Sequence, residues 1–328
     1  MSPQLILFAG FSVLLAGVSR SDDATRIHKH SFAGFVDKEF AIEKLSRRDK
    51  FVDAMSLFDR QSRMQSDDNV TVHAYLQFVS QHVLEWSEKE ITAIKAVLVS
   101  IEEKCRPYTL PLPEQILFIK TDGKEEGGAA YCRGNLIVLP APRVAVSADR
   151  LERLVLHELF HVLSSHNPRL RQQLYSIIDF RICQEIQLPP SLSDRKLTNP
   201  DAPLVNCVIP LTQNAEEIMV APILFASPEK YESKLGGPFF KFLEFKLMVV
   251  VEEEARWNPL LTDGVPVLLD PDKTPEYLAK IGKNTRYIIH PDEILADNFV
   301  HLILKSKDLQ TPELVEQMRQ ILTRDARR

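Results

Sequence analysis

The 328-residue sequence predicts an α+β fold, and three observations carry that expectation. Apolar residues at helical spacing, with capping residues before them, dominate positions 32–104. Short apolar runs bounded by Gly, Pro and Asn fill much of the middle, which is the pattern of strands. The chain then returns to helix near its end, where Pro291 and Pro312 each stand at a first helical position. Helices and strands therefore segregate along the chain instead of alternating, with a small mixed sheet at the centre.

Taken in order, residues 5–18 are an almost unbroken apolar run followed by Ser19-Arg20-Ser21-Asp22-Asp23. Its length suits the apolar region of an export signal, and small residues at Gly17, Ser19 and Ser21 permit cleavage, so 1–21 reads as a signal peptide and the protein as exported, to a periplasm or outside the cell. Met1-Ser2-Pro3-Gln4 carries no Lys or Arg, which keeps a buried or anchoring N-terminal helix as the alternative. Phe35, Phe40, Leu45, Phe51, Met55 and Phe58 mark helix faces in 32–104. Ser87 and Glu90 form a capping box ahead of a stripe through Ile91, Ile94, Leu98 and Ile101. Ile116–Ile119 then reads as a strand, and 130–132 with 136–139 as a hairpin around Arg133-Gly134-Asn135. Ser147 is placed to cap the next helix, Asn167-Pro168 starts another running to about 187, and 188–203 is Pro-rich loop. Strands are expected at 204–210, 218–225 and 242–252, and helices at 291–305 and 312–327.

Composition bounds the function. The chain is 45% apolar and 26% charged with a formal net charge of −5, so nucleic acid is not an expected partner. Beyond the N-terminal run nothing approaches the roughly 20 apolar residues of a membrane span. Cys105, Cys132, Cys183 and Cys207 show no C-x-x-C spacing; local disulfides 105–132 and 183–207 suit export, and four free thiols are the alternative. Asn69-Val70-Thr71 is a glycosylation sequon. Oligomeric state is not legible.

The chemistry begins at His157-Glu158-Leu159-Phe160-His161, an H-E-x-x-H run within one amphipathic helix. Positions i and i+4 share a helix face, so two imidazoles a turn apart can grip one Zn²⁺ while Glu158 reaches a water as general base. A third ligand is expected from the helix that Pro291 begins, where Glu293 and Asp297 share a face and His301 follows a further turn along. Glu293 can complete a His₂Glu set for one zinc ion per chain, and Asp297 can accept the second N–H of a ligating imidazole. His166 is a rival, but it lies five residues after His161 without the Gly turn of a metzincin.

The pair of motifs resembles the gluzincins, the thermolysin-like zinc metallopeptidases in which H-E-x-x-H is followed by E-x-x-x-D. The resemblance implies a zincin-like metallopeptidase core, His157, His161 and Glu293 as ligands, Glu158 as base and Asp297 as outer partner. It covers two short motifs, and 132 residues separate the second histidine from this glutamate (positions 161 and 293), far beyond the family's usual spacing. The organisation expected is therefore a signal peptide (1–21), an N-terminal helical region (22–104), a zincin sheet with the H-E-x-x-H helix (105–187), a long inserted loop and strand lobe (188–285), and C-terminal helices carrying the third ligand (286–328). The substrate expected is a peptide or protein, attacked by a zinc-activated water from which Glu158 takes the proton. Tyr287 and His290 are the candidates to donate to the oxyanion; a core Tyr and a helix-capping His explain the same residues. The gluzincin edge strand that pairs with extended peptide corresponds to 136–139, and Asn199-Pro200-Asp201-Ala202-Pro203 is a rigid polar segment placed to border the cleft. A zinc hydrolase of another amide or ester, and a catalytically silent binding protein held together by zinc, stand as the competing readings.

Overall fold

Strand pairing and apolar alternation build the centre of the molecule, described by a computed structural model over residues 25–213 and 215–323. The signal segment 1–21 and the last residues of the 312–327 helix lie outside the described residues. Strands β1 (Thr25–His28), β2 (Ser31–Phe35), β3 (Val83–Leu84), β4 (Gln115–Thr121), β5 (Tyr131–Arg133) and β6 (Leu136–Pro140) make one mixed sheet. Its order is β1-β2-β4-β6-β5, with β3 beside the end of β4. Strands β2, β4 and β6 are parallel, while β1 and β5 run antiparallel at the two edges.

Successive side chains of a strand face opposite sides, and here both sides are apolar. Ile116, Phe118, Ile137 and Leu139 face helices Glu88–Cys105, Ala148–His166 and Pro291–Ile303; Leu117, Ile119, Leu136 and Val138 face Lys38–Leu45 and Val72–Gln81. A sheet covered on both faces explains why β4 and β6 read as continuous apolar runs. Arg133-Gly134-Asn135 turns β5 into β6, with Gly134 at φ 65°, a value that suits glycine.

Mixed α and β structure is as expected; several boundaries are not. Residues 31–35 are strand, not helix, because Phe35 stacks on Phe118 (centroids 5.4 Å apart) inside the sheet. The rest of 32–104 divides into short helices whose N-caps, Asp37, Asp49, Ser56 and Thr71, each accept a backbone N–H. Thr71 of the sequon thus serves as a helix cap. The capping box at Ser87 and Glu90 forms as expected. The helix from Pro168 stops at Tyr175, short of 187, and Asp179 at φ 61° turns the chain away.

The long segment between the two halves of the motif forms a second sheet. Strands β7 (Arg181–Ile182), β8 (Cys207–Gln213), β9 (Glu216–Ala226), β10 (Leu243–Glu253) and β11 (Arg256–Pro259) lie in the order β11-β10-β9-β8-β7. One face of it (Ile209, Leu211, Val220, Leu247, Val249) joins the same core as the H-E-x-x-H helix, and the other (Val208, Met219, Ala221, Met248, Val250) has its own cluster. The insertion is therefore packed into the central core instead of folding out from it. No disulfide forms: Cys105, Cys132, Cys183 and Cys207 are free thiols, with Cys132 turned toward Glu158 and Cys207 toward His290. Among the described residues no helix is long and apolar enough to cross a membrane.

A buried ion cluster joins the N-terminal helices to the loop after Ser193. Arg63 is 3% exposed and pairs with Asp59 (2.8 Å) and Glu126, while its Nη2 donates to the Thr198 carbonyl at 2.7 Å. Removing the cation strands two buried carboxylates. We expect Arg63→Ala to lower unfolding free energy by about 3–5 kcal/mol, measured by urea denaturation; a loss under about 1 kcal/mol contradicts this account of the cluster.

Candidate metal centre

Helices Ala148–His166 and Pro291–Ile303 pack face to face, and their polar residues meet in the gap. The first is held to the sheet by Leu151, Val155, Leu159 and Val162, which fixes the direction of the histidines on its other face. The second starts where the sequence places it: Pro291 occupies the first turn and His290 is the N-cap, its Nδ1 accepting the Asp292 N–H. Ligand atoms of His157, His161 and Glu293 come together, all within 4.8 Å of one another. His157 Nε2 lies 3.1 Å and His161 Nε2 3.4 Å from Glu293 Oε2.

The far side of each ring is also held. His157 Nδ1 is 3.1 Å from Asp297 Oδ1, and His161 Nδ1 is 2.9 Å from Asp292 Oδ2. With Nδ1–H committed to a carboxylate, a ring that gives up its Nε2 proton presents that lone pair on the Glu293 side, which is how carboxylates orient ligating imidazoles. Thr285 donates its hydroxyl to Asp297. Asp292, fully buried, also accepts from Ser164 Oγ (2.5 Å) and Tyr175 OH (2.8 Å) and has Arg171 at 3.5 Å.

Charge explains the protonation of the ion-free site. Burial opposes a charged imidazole, yet the Asp297 and Glu293 carboxylates outweigh it and hold His157 at about 10. Burial likewise opposes charge at His161, and Asp201, Glu293 and Asp292 raise it well above its ordinary value. Glu293, despite burial, is held well below the carboxylate range by the two imidazoles. Protons on the histidines stand in for a cation. His161 Nε2 is buried without a hydrogen-bond partner, an orphan that a metal ion satisfies. Two imidazoles and one carboxylate fit zinc and leave a coordination position for substrate or water.

Glu158, 2% exposed, turns toward the sheet, where Cys132 Sγ donates to its Oε2 at 3.2 Å. Burial raises its pKa, against the pull of His161 and His157. Tyr287 stacks over His157 with centroids 6.2 Å apart and planes at 17°. Tyr287 is 41% exposed as a whole, yet desolvation among the surrounding Glu293, Asp201 and Glu158 pushes its pKa well up, so it stays a donor. His290 is placed differently from the expectation. Its Nδ1 caps the helix and its Nε2 lies 3.7 Å from Cys207 Sγ, so both ring nitrogens are engaged outside the ligand cluster. Burial pushes its pKa down to about 4. His166 is exposed at its helix end, and His301 binds Ser306 and the Asn284 carbonyl instead of the site.

Three participants escaped sequence reasoning. Asp292 had a visible signal, since it sits beside Glu293 in the first helical turn; its side chain faces His161 rather than solvent. Asn199 and Asp201 lie in the segment expected to border the cleft, but their partners follow only from the fold. Asn199 Nδ2 donates to Glu293 Oε1 at 2.5 Å, and Asp201 Oδ1 accepts the Cys132 N–H at 2.7 Å. The edge strand is also not the one expected: β6 (136–140) is paired on both sides, and β5 is the free edge next to the site. Comparison with family models, curated proteins and solved structures gave no match.

Two expectations follow. Asp292→Ala and Asp297→Ala each keep all three ligands but weaken zinc binding by about 10- to 100-fold, read by competition with a chromophoric chelator. Unchanged affinity in both rules out the orienting role. Zinc must also displace imidazole protons, so its apparent affinity rises about tenfold per pH unit for each proton released. The same protons act in the opposite sense on folding: His157 is raised from 6.5 to about 10, so its contribution to the ion-free fold is complete below pH 6.5 and lost as pH climbs toward 10. Zinc affinity independent of pH between 6 and 8 contradicts the first, and ion-free stability that does not fall between pH 7 and 9 contradicts the second.

Proposed function

We propose that the chain is a zinc-dependent metallopeptidase whose centre is of gluzincin type, hydrolysing peptide bonds with Glu158 as general base. One observation carries the reading: H-E-x-x-H and the E-x-x-x-D run, 132 residues apart (161 to 293), bring His157, His161 and Glu293 within 4.8 Å, with a carboxylate on each outer imidazole nitrogen. A mixed sheet whose antiparallel edge strand lies beside the ligand helix supports a zincin-like core. His157, His161 and Glu293 are the residues that hold the ion. Zinc, when bound, supplies a Lewis acid that acidifies water and polarises a carbonyl.

The protein groups then have distinct tasks. Glu158, buried and adjacent to the ligands, takes a proton from the attacking water and passes it to the leaving amine. Its position one residue from His157 and three from His161 puts it on the same helical turn without competing for the ion. Tyr287, kept protonated, donates to the oxygen that gains charge. Asp297 and Asp292 hold the imidazoles still, and Asn199 holds the outer oxygen of Glu293. A structural zinc site has no use for a base beside its ligands, which disfavours a silent binding protein. A hydrolase of small non-peptide amides has one observation in its favour: the Cys132 N–H on the β5 edge is already taken by Asp201.

Metal analysis and a peptide-library assay test the proposal. Wild type is expected to hold one zinc and cleave peptides; Glu158→Gln keeps the zinc and loses at least about 100-fold in turnover; Glu293→Ala loses the zinc. Turnover that persists in Glu158→Gln refutes the mechanism, and zinc undiminished in Glu293→Ala refutes the ligand set.

A further inference from the structure

The 198–203 segment crosses the site between the free sheet edge and the third ligand. Its base is fixed by a buried set of bonds: the Thr198 N–H donates to Asp59 Oδ2 (2.9 Å), its carbonyl accepts from Arg63 Nη2 (2.7 Å), and its hydroxyl donates to the Ala54 carbonyl (3.1 Å). Its far end is tied back, because Lys196 Nζ donates to the Pro203 carbonyl at 2.6 Å. Between these anchors the Asp201 N–H bonds Asn199 Oδ1 at 3.0 Å, closing a tight turn around Pro200. Two prolines and an internal turn leave this segment little freedom to lose.

What the turn presents is specific. Strand β5 is three residues long and antiparallel to β6, in register Tyr131↔Val138, Cys132↔Ile137, Arg133↔Leu136. Backbone polar groups alternate sides along a strand, so Cys132 alone among the three points its N–H away from β6. That N–H is the one an extended peptide needs to add itself to the sheet, and Asp201 Oδ1 holds it at 2.7 Å. One ligand-type atom each from Asp201, Glu158 and Cys132 lies within 4.8 Å of the others, so the blocking carboxylate stands directly beside the base. The turn borders a cavity of about 460 Å³ lined also by His161 and Arg133, and a second lined also by Tyr131 and Tyr287, with Pro200 and Asp201 common to both.

We propose that Asp201 is a specificity-determining residue: its carboxylate occupies the edge of β5 in place of substrate backbone, and so limits the site to short peptides that do not pair with the sheet. The inference rests on the peptidase reading for the word peptide, and on the Cys132 contact for the rest. Because the anchors at Thr198 and Pro203 are independent of Asp201, only its side chain has to leave for a longer substrate to bind. Asn at this position keeps an acceptor oxygen, whereas Ala removes it.

The experiment uses the full chain, zinc-loaded, with Glu158→Gln as the non-turnover background. Two quantities are read: hydrogen exchange at the Cys132 amide, and affinity for unstructured ten-residue peptides by fluorescence anisotropy. Asp201→Ala is expected to speed Cys132 exchange and to tighten decapeptide binding by about tenfold, the scale of one backbone hydrogen bond. Asp201→Asn is expected to resemble the parent in both. Exchange at Cys132 unaltered in Asp201→Ala overturns the proposal, as does decapeptide binding that fails to tighten. Asp201→Asn as altered as Asp201→Ala also overturns it, marking a charged contact with substrate instead of an edge cap. The exchange measurement needs no catalysis, so a wild type that holds zinc and cleaves no peptide sinks the peptidase reading while the exchange result still decides what Asp201 holds.

Discussion

Carboxylate to imidazole bonds between two helices set the rest of the site. His161 reaches Asp292 and His157 reaches Asp297, so each rung of the interface between Ala148–His166 and Pro291–Ile303 is a charged hydrogen bond in a buried setting. Such bonds gain strength from low dielectric but penalise any unpaired member, which is why Asp292 is surrounded by donors from two helices, His161 and Ser164 on one and Tyr175 on the next. The helices pack through apolar residues, yet their rotation about one another is fixed by these polar pairs. Glu293, adjacent to Asp292, is carried into place by the same constraint.

Elements whose own residues decide their form were legible in the sequence. The H-E-x-x-H helix, the Pro291 helix start and the Ser87 capping box follow from spacing and capping chemistry local to each segment. So was the meeting of His157, His161 and Glu293, because helical periodicity puts the two histidines on one face and Pro291 fixes the start of the helix that carries the glutamate. What failed was decided by distant partners. Ser31–Phe35 looks like a helix face until Phe118 is beside it, and β5 rather than β6 is the edge because pairing order is a property of the whole sheet. His290 reads equally as catalyst or cap, and only Cys207 and the Asp292 N–H decide it. Asp201 belongs to the same class, since nothing near it in sequence indicates Cys132.

The second sheet illustrates how a long intervening segment can leave two distant parts of a chain in contact. Its inner face shares the central apolar cluster, so the chain that leaves after His161 returns with its strands already packed against the ligand helix. The loop after Ser193 emerges from that packing with Thr198 fixed by Arg63 and Asp59, and delivers Asn199 to the outer oxygen of Glu293. A buried ion cluster in the N-terminal half thereby shapes the surroundings of a ligand contributed by the C-terminal half.

The distance along the chain between ligands also has a temporal meaning. No segment shorter than His157 to Glu293 contains all three clustered donors, so the cluster cannot be assembled from a local turn as a small metal-binding motif is. Closing contacts of such long sequence separation is entropically slow. Assembly of the cluster therefore reports completion of the fold, and a chain stalled partway would carry the two histidines without their carboxylate.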